Sequence, residues 1–280
     1  MNPKPRFDKR SLWPWRDWMT IGIGVLASSK AKPDHLILMA DTKGSFGDEY
    51  SMNRLHKIFA FPDEKLFATA SDRIDRCAEL VTVIDELFKE EKPDSYGKIL
   101  LVINKALYMY RQQRFGIEIA PKFLTRREDV ETGTIPPELR KKIESAWPKY
   151  HTRAELIVGT FGANGQAYLF SIVEDELENH STPGFIAIGS GSGNAMFWLC
   201  HRTQHLGRTV KQSAYHAFEA KVMAESSPFV NEKLDILVAN ADENFLLTDF
   251  KPAPSGAPFT TNELRAMWPK YGPQSTDGIV

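Results

Sequence analysis

At 280 residues and 42% hydrophobic composition, the chain can bury one sizeable core, and mixed α and β domains of this length are often single. A formal net charge of −1 excludes the basic balance of a nucleic-acid or membrane-surface binder. Cys77 and Cys200 are too few for a disulfide framework and lack metal-ligand spacing, while the longest apolar runs, such as 36–40 and 99–103, fall far short of a membrane span.

Residues 1–19 hold basic residues but no apolar stretch, so they predict a leader or extension rather than a secretory signal. Its Trp13, Trp15 and Trp18 suggest packing against a neighbour. Residues 20–27 and 35–41 read as strands joined by a turn at Lys32-Pro33-Asp34. A second hairpin, 57–61 with 66–70, turns at Pro62-Asp63-Glu64. Ser71-Asp72 then reads as the cap of a helix reaching Lys92, with Ile74, Cys77, Leu80, Val81, Ile84 and Leu87 on one face. After Pro93-Asp94-Ser95 a second helix runs to about Arg114. Residues 117–150 are charged and proline-containing, an insertion expected at the surface with a short helix at 137–146. Strands follow at 154–160 and 167–173, then at 185–188. Helices are expected at 194–205 and 210–225, strands at 234–239 and 245–248. The predicted domain spans 20–250, leaving 251–280 as a Pro/Gly/Ser-rich tail with a short helix near 261–267. Strands, two helices, strands, two helices and strands is the order of an α+β fold with two antiparallel sheets between helical layers.

The chemistry concentrates early. Thr20, Asp41 and Lys57 put a hydroxyl, a carboxylate and an ammonium on consecutive short strands. A threonine at a chain's own N-terminus needs no histidine, because its α-amino group titrates near neutrality and can take the hydroxyl proton. A nearby lysine ammonium holds that amine neutral, and a carboxylate orients the lysine. Each residue also has a plainer role: a strand threonine, a turn-capping aspartate, a solvated lysine.

The spacing leaves both roles open for Thr20 and favours an inward, ion-paired Lys57. Thr20 to Gly24 gives Thr-x-x-x-Gly, Ala40-Asp41-Thr42-Lys43 ends the second strand, and Lys57 follows Asp41 by sixteen positions. With Ala70-Ser71, Asp75 and the Gly189-Ser190-Gly191-Ser192 loop, this resembles the proteasome β-type and HslV-like members of the N-terminal nucleophile (Ntn) hydrolase family. The resemblance covers roughly residues 20–250, weakly between about 115 and 150. It implies a four-layer αββα sandwich and a threonine peptidase working through a Thr20 acyl-ester. It also implies Asp41, Lys57 and Ser190 as catalytic partners, and Ser71, Gly189, Gly191 and Ser192 around the oxyanion. Arg73 and Thr69 would line the substrate pocket, with Glu225, Ser227 and Asp75 as weaker supporting candidates. No cofactor or metal is implied.

The partners implied are a peptide or unfolded-protein substrate, a homo-oligomeric ring and an ATPase unfoldase, with no nucleic acid and no membrane, in the cytoplasm. Two departures stand out. Ser71 replaces a family glycine, whose backbone N–H is still expected to donate to the oxyanion. Arg73 brings positive charge to the pocket, favouring an acidic side chain or filling the space. Residue 19 is methionine, so a chain started at Met19 frees Thr20 by methionine removal alone, whereas retention of 1–18 turns its amine into an amide. Two other classes therefore stay open, a silent α-like ring subunit and an Ntn amidohydrolase acting on a small amide.

Overall fold

The computed structural model describes residues 20–28, 33–46, 50–52, 55–71, 73–119, 122, 137–228 and 230–272. The leader 1–19, Lys32 of the first expected turn, Asp72, most of 117–136 and the tail beyond 272 lie outside the described residues. Strands β1 (Ile21–Ala27) and β2 (His35–Asp41) form the first hairpin. A small ribbon follows, β3 (Gly44–Phe46) with β4 (Tyr50–Met52). Three-residue strands carry too little alternation to be read from sequence. Then come β5 (Ile58–Phe61), β6 (Leu66–Ala70), α1 (Ile74–Glu91) and α2 (Tyr96–Glu118).

The expected Ser71-Asp72 cap is corrected by the geometry: Arg73 is the cap residue and its side chain makes no cap hydrogen bond. Helix α2 also runs a turn past Arg114, because Phe115 packs on Ile143 and Tyr150 in a small cluster of its own. Helix α3 (Pro137–Ala146) and the 3-10 turn Trp147–Lys149 complete that cluster, tied to α2 by Arg111, which donates to the carbonyls of Trp147 and Tyr150 at 3.0 and 2.9 Å. Part of the insertion thus builds an apolar annex under α2.

The second half contributes β7 (Leu156–Phe161), β8 (Ala167–Val173), β9 (Glu176–Asn179), β10 (Phe185–Gly189), α4 (Ser192–His201), α5 (Val210–Ala224), β11 (Leu234–Ala239), β12 (Asn244–Thr248) and α6 (Thr261–Tyr271). Strand β9 escaped the sequence reading because Glu-Leu-Glu-Asn is polar and mostly exposed, as suits the edge of a sheet. Helix α4 starts two residues earlier than expected and stops at His201. The Trp-Pro-Lys-Tyr sequence occurs twice and closes a short helical segment each time, at Trp147–Lys149 and at the end of α6.

The strand order is β10-β1-β2-β11-β12 in one sheet and β5-β6-β7-β8-β9 in the other, every pair antiparallel. Alternation sorts the side chains into layers. Ile21, Ile23 and Val25 of β1 pack against α5 residues such as Ala217 and Phe218, while Leu26 joins Leu36, Leu38, Phe67 and Ile157 between the sheets. The outer face of the second sheet packs Ala68, Val158 and Phe170 against Leu80, Ile84 and Ile103 of α1 and α2. The result is an α+β sandwich of four layers, helix, sheet, sheet, helix. Phe259 and Leu264, from the expected tail, are buried in the core of the α5 layer.

Close approach of the two sheets depends on Gly159, whose missing Cβ would lie 2.2 Å from Leu36 Cδ2 and 2.9 Å from its Cγ. Leu36 is fully buried and has nowhere to retreat. Gly159→Ala is therefore expected to cost about 1–3 kcal/mol by overpacking. Urea unfolding checks this, and a loss below measurement error would mean that the interface yields.

Candidate functional site

In an antiparallel sheet the start of one strand lies beside the end of the next. The entry to β1 is thus flanked by the end of β2 and the end of β10, which brings Thr20, Asp41 and Gly189 together. The second sheet delivers the start of β5 and the end of β6 to the same end of the sandwich. Lys57 is anchored there by its carbonyl, which accepts from the Ala70 N–H at 3.0 Å.

Asp41 organises this junction. Its Oδ1 accepts from the Ile21 N–H at 3.0 Å and from Lys57 Nζ at 2.7 Å, and its Oδ2 accepts from the Lys43 N–H at 3.2 Å. Asp41 and Lys57 are both fully buried and Thr20 nearly so. A buried ion pair persists only when its remaining polar atoms are also satisfied, and the two backbone donors meet that need on the carboxylate. Burial pushes the Lys57 ammonium down to about 8, against the upward pull of Asp41 and then Asp235, while Lys221 adds to the fall.

Thr20 is held from two sides. Its hydroxyl donates to the Ser71 carbonyl, and its own carbonyl accepts from the Ser190 N–H at 3.0 Å. Gly189 makes the second contact possible. Its φ is +92°, and a Cβ there would lie 2.2 Å from the Thr20 carbonyl oxygen, so only glycine fits. Ser190 reaches Thr20 through its backbone while its side chain is exposed. Gly191 caps α4 and Ser192 opens it, half-buried.

The expectation for Ser71 needs correction. Its N–H donates to the Glu155 carbonyl at 3.2 Å and its hydroxyl to Glu155 Oε2 at 2.7 Å. The ladder between β6 and β7 continues one step beyond Ala70 and takes up the donor assigned to the oxyanion. Thr69 likewise does not line an open pocket. It is fully buried, it faces Gly22 between the sheets, and its hydroxyl has no hydrogen-bond partner among the described residues. Arg73 forks onto Asp75, at 3.1 and 2.6 Å, which offsets much of its charge. Beyond this pair opens a cleft also lined by Arg76, Lys122, Lys149, His151 and Arg153, with one carboxylate, Glu118, paired to Arg76 at 2.5 Å.

Glu225 is bonded by Lys221 Nζ at 2.5 Å. Ser227 donates its N–H to the Ala224 carbonyl at 2.9 Å, whereas it is Ser226 that meets the start of α4, accepting from Asn194 Nδ2 at 2.8 Å. The same loop closes over the corner after β2: Lys43 Nζ donates to the Pro228 carbonyl at 2.9 Å, and Asn231 exchanges bonds with Thr42. Sequence reasoning missed three polar residues in this region: Lys221, fully buried on α5; Asp235, buried on β11; and His56, whose Nδ1 lies 2.6 Å from Asp235 Oδ2. Among the described residues no group of three or more His, Cys, Asp or Glu is placed to hold a metal ion, and no helix is long and apolar enough to cross a membrane.

No protein-family model and no curated protein matches the chain. Solved structures do resemble it. Eukaryotic HslV from Trypanosoma brucei is 16% identical with a TM-score of 0.53, over 79% of this chain and 99% of that one. The Anbu (Gly-1) mutant from Hyphomicrobium sp. strain MC1 is 12% identical with a TM-score of 0.56, over 89% and 93%. At such identities the likeness is one of fold, the proteasome-like Ntn hydrolase fold.

Proposed function

We propose that the chain is a proteasome-like threonine peptidase in which Thr20, once it is the first residue, attacks a peptide carbonyl. The observation that carries this reading is the buried set of contacts at the junction of the two sheets, in which Lys57 bonds Asp41, Asp41 accepts the N–H of Ile21 next to Thr20, and the Thr20 hydroxyl bonds the Ser71 carbonyl. The Thr20 amine takes the hydroxyl proton as Oγ1 bonds to the carbonyl carbon. The C–N bond then breaks, and the amine returns the proton to the leaving nitrogen. Water, deprotonated by the same amine, hydrolyses the acyl-ester. Lys57 keeps that amine neutral and Asp41 fixes Lys57. The basic cleft beside Arg73 favours acidic side chains on the substrate. The active species is a homo-oligomeric ring in the cytoplasm, supplied with unfolded protein by an ATPase.

A second reading, a silent ring subunit, draws on one specific observation. The Thr20 hydroxyl is bonded to a carbonyl, and the Ser71 N–H is already taken by Glu155, so an oxyanion must find another donor or displace that bond. The third, an amidohydrolase for small amides, calls for a closed pocket in place of a long cleft. Intact mass and light scattering on the purified protein separate the first two. The peptidase reading expects a chain beginning at Thr20, a mass several times the monomer and hydrolysis of fluorogenic peptides. A ring whose subunits begin at Met1 and cleave nothing would establish the silent subunit.

A further inference from the structure

Lys57 stands in a field of charges from several elements. Asp41 comes from the end of β2, Asp235 from β11 and Lys221 from α5, the last paired to Glu225. Only Asp41 belongs to the contact set described above. Asp235 pairs in register with Ala40, one residue from Asp41. Its neighbours Leu234 and Ile236 face the helices and Leu237 faces the space between the sheets, so alternation turns Asp235 toward the second sheet, where β5 begins. Oδ2 lies 2.6 Å from Nδ1 of His56, the residue preceding Lys57. Oδ1 is buried with no hydrogen-bond partner among the described residues.

A carboxylate that is 1% exposed and half-satisfied is costly unless a cation compensates it. Lys57 has three donor hydrogens, and Asp41 Oδ1 takes one of them. His56 is half exposed and supplies a hydrogen bond that fixes the carboxylate without shielding its inner oxygen. On the opposite side Lys221, fully buried, repels the Lys57 charge. Lys221 is itself paired to Glu225, so of the two carboxylates that pull on Lys57, Asp41 is bonded to it and Asp235 acts through space.

We propose that Asp235, oriented by His56, is a second counter-ion of Lys57 and a positioning residue that holds its ammonium charged against Asp41. The role for turnover rests on the peptidase reading; the role for the charge of Lys57 does not. The test is therefore read first on the resting protein. With 13Cε-labelled lysine, the Lys57 titration is followed by NMR in wild type, Asp235→Asn and His56→Gln. Asparagine keeps the acceptor for His56 and removes the charge, so the Lys57 midpoint is expected to fall by roughly one unit or more. His56→Gln leaves the charge and is expected to move it much less. An unmoved midpoint in Asp235→Asn overturns the proposal.

Should that variant not fold, the wild type still answers. The 13C signal of the Asp235 carboxyl is expected to step at the midpoint of Lys57, and the absence of a step overturns the proposal equally. Where peptide turnover is measurable, Asp235→Asn also moves the alkaline limb of kcat to lower pH and leaves KM in place, which a merely structural aspartate would not do. Loss of all turnover with an intact NMR response would fault the peptidase reading and spare this one.

Discussion

Lys57→Ala is expected to lower peptide turnover by a factor of about 10²–10⁴, the usual worth of a positioned proton-transfer system. In the proposed mechanism the lysine's contribution is its charge. An ammonium near the Thr20 amine disfavours a second positive charge there, so the amine stays neutral and basic at physiological pH. Lys57 is pushed down to about 8, and loss of its proton above that value removes the field. Wild-type turnover is therefore expected to fall as pH rises through about 8. In the variant this alkaline limb disappears, and the acidic limb moves up because the amine now holds its proton more tightly.

The same substitution has a cost in stability, since removing one partner of a buried pair costs about 3–5 kcal/mol. Asp41 keeps the Ile21 and Lys43 N–H groups as donors, which puts Lys57→Ala at the lower end of that range. Asp41→Ala, in contrast, strips Lys57 of its direct bond and is expected to cost more. Urea unfolding of both variants checks the order. Undiminished hydrolysis of a fluorogenic peptide by folded Lys57→Ala would remove this lysine from the mechanism.

Much of the site was legible because its residues lie close in sequence on consecutive strands. The spacing of Thr20, Asp41 and Lys57 records strand and turn lengths, and those lengths alone bring the three residues to one end of the sandwich. The fold was readable for a related reason: β1, β2 and β11 are apolar on both faces because each separates two cores. The backbone roles were not legible. Whether Ser71 turns its N–H or its carbonyl toward Thr20 depends on how far β7 extends its ladder, a property of residues more than eighty positions away.

Lys221 and Asp235 were missed because a charge is read as solvated by default. A signal existed for both. Lys221 falls three and four residues after Phe218 and Ala217, on the apolar stripe of its helix, and Asp235 interrupts an otherwise apolar strand. Charges that break a buried pattern mark the places where the interior is polar by design, and here both lie around Lys57.

The remaining large effect is covalent. In protein whose N-terminus is Thr20, an epoxyketone is expected to modify Thr20 and no other residue, because its ring closure consumes both the hydroxyl and the amine of one residue. Other hydroxyls nearby cannot substitute: Ser71 Oγ is bonded to Glu155 and has no free amine, and the Ser190 side chain points to solvent. A β-lactone asks less, only a competent hydroxyl, and serves as the control for attack without ring closure. Attack requires that the Thr20 hydroxyl leave the Ser71 carbonyl, a single hydrogen bond, worth about 1 kcal/mol net. That is small beside the gain from a base held on the same residue. Thr20→Ser is expected to keep the adduct and Thr20→Ala to lose it, with the fold unchanged in both, since the Ser190 contact is made by the backbone. Peptide mass mapping after incubation checks the site. A Thr20 terminus that stays unmodified by both reagents would end the hydrolase reading and leave the ring subunit, with Asp41 and Lys57 serving only to join the two sheets.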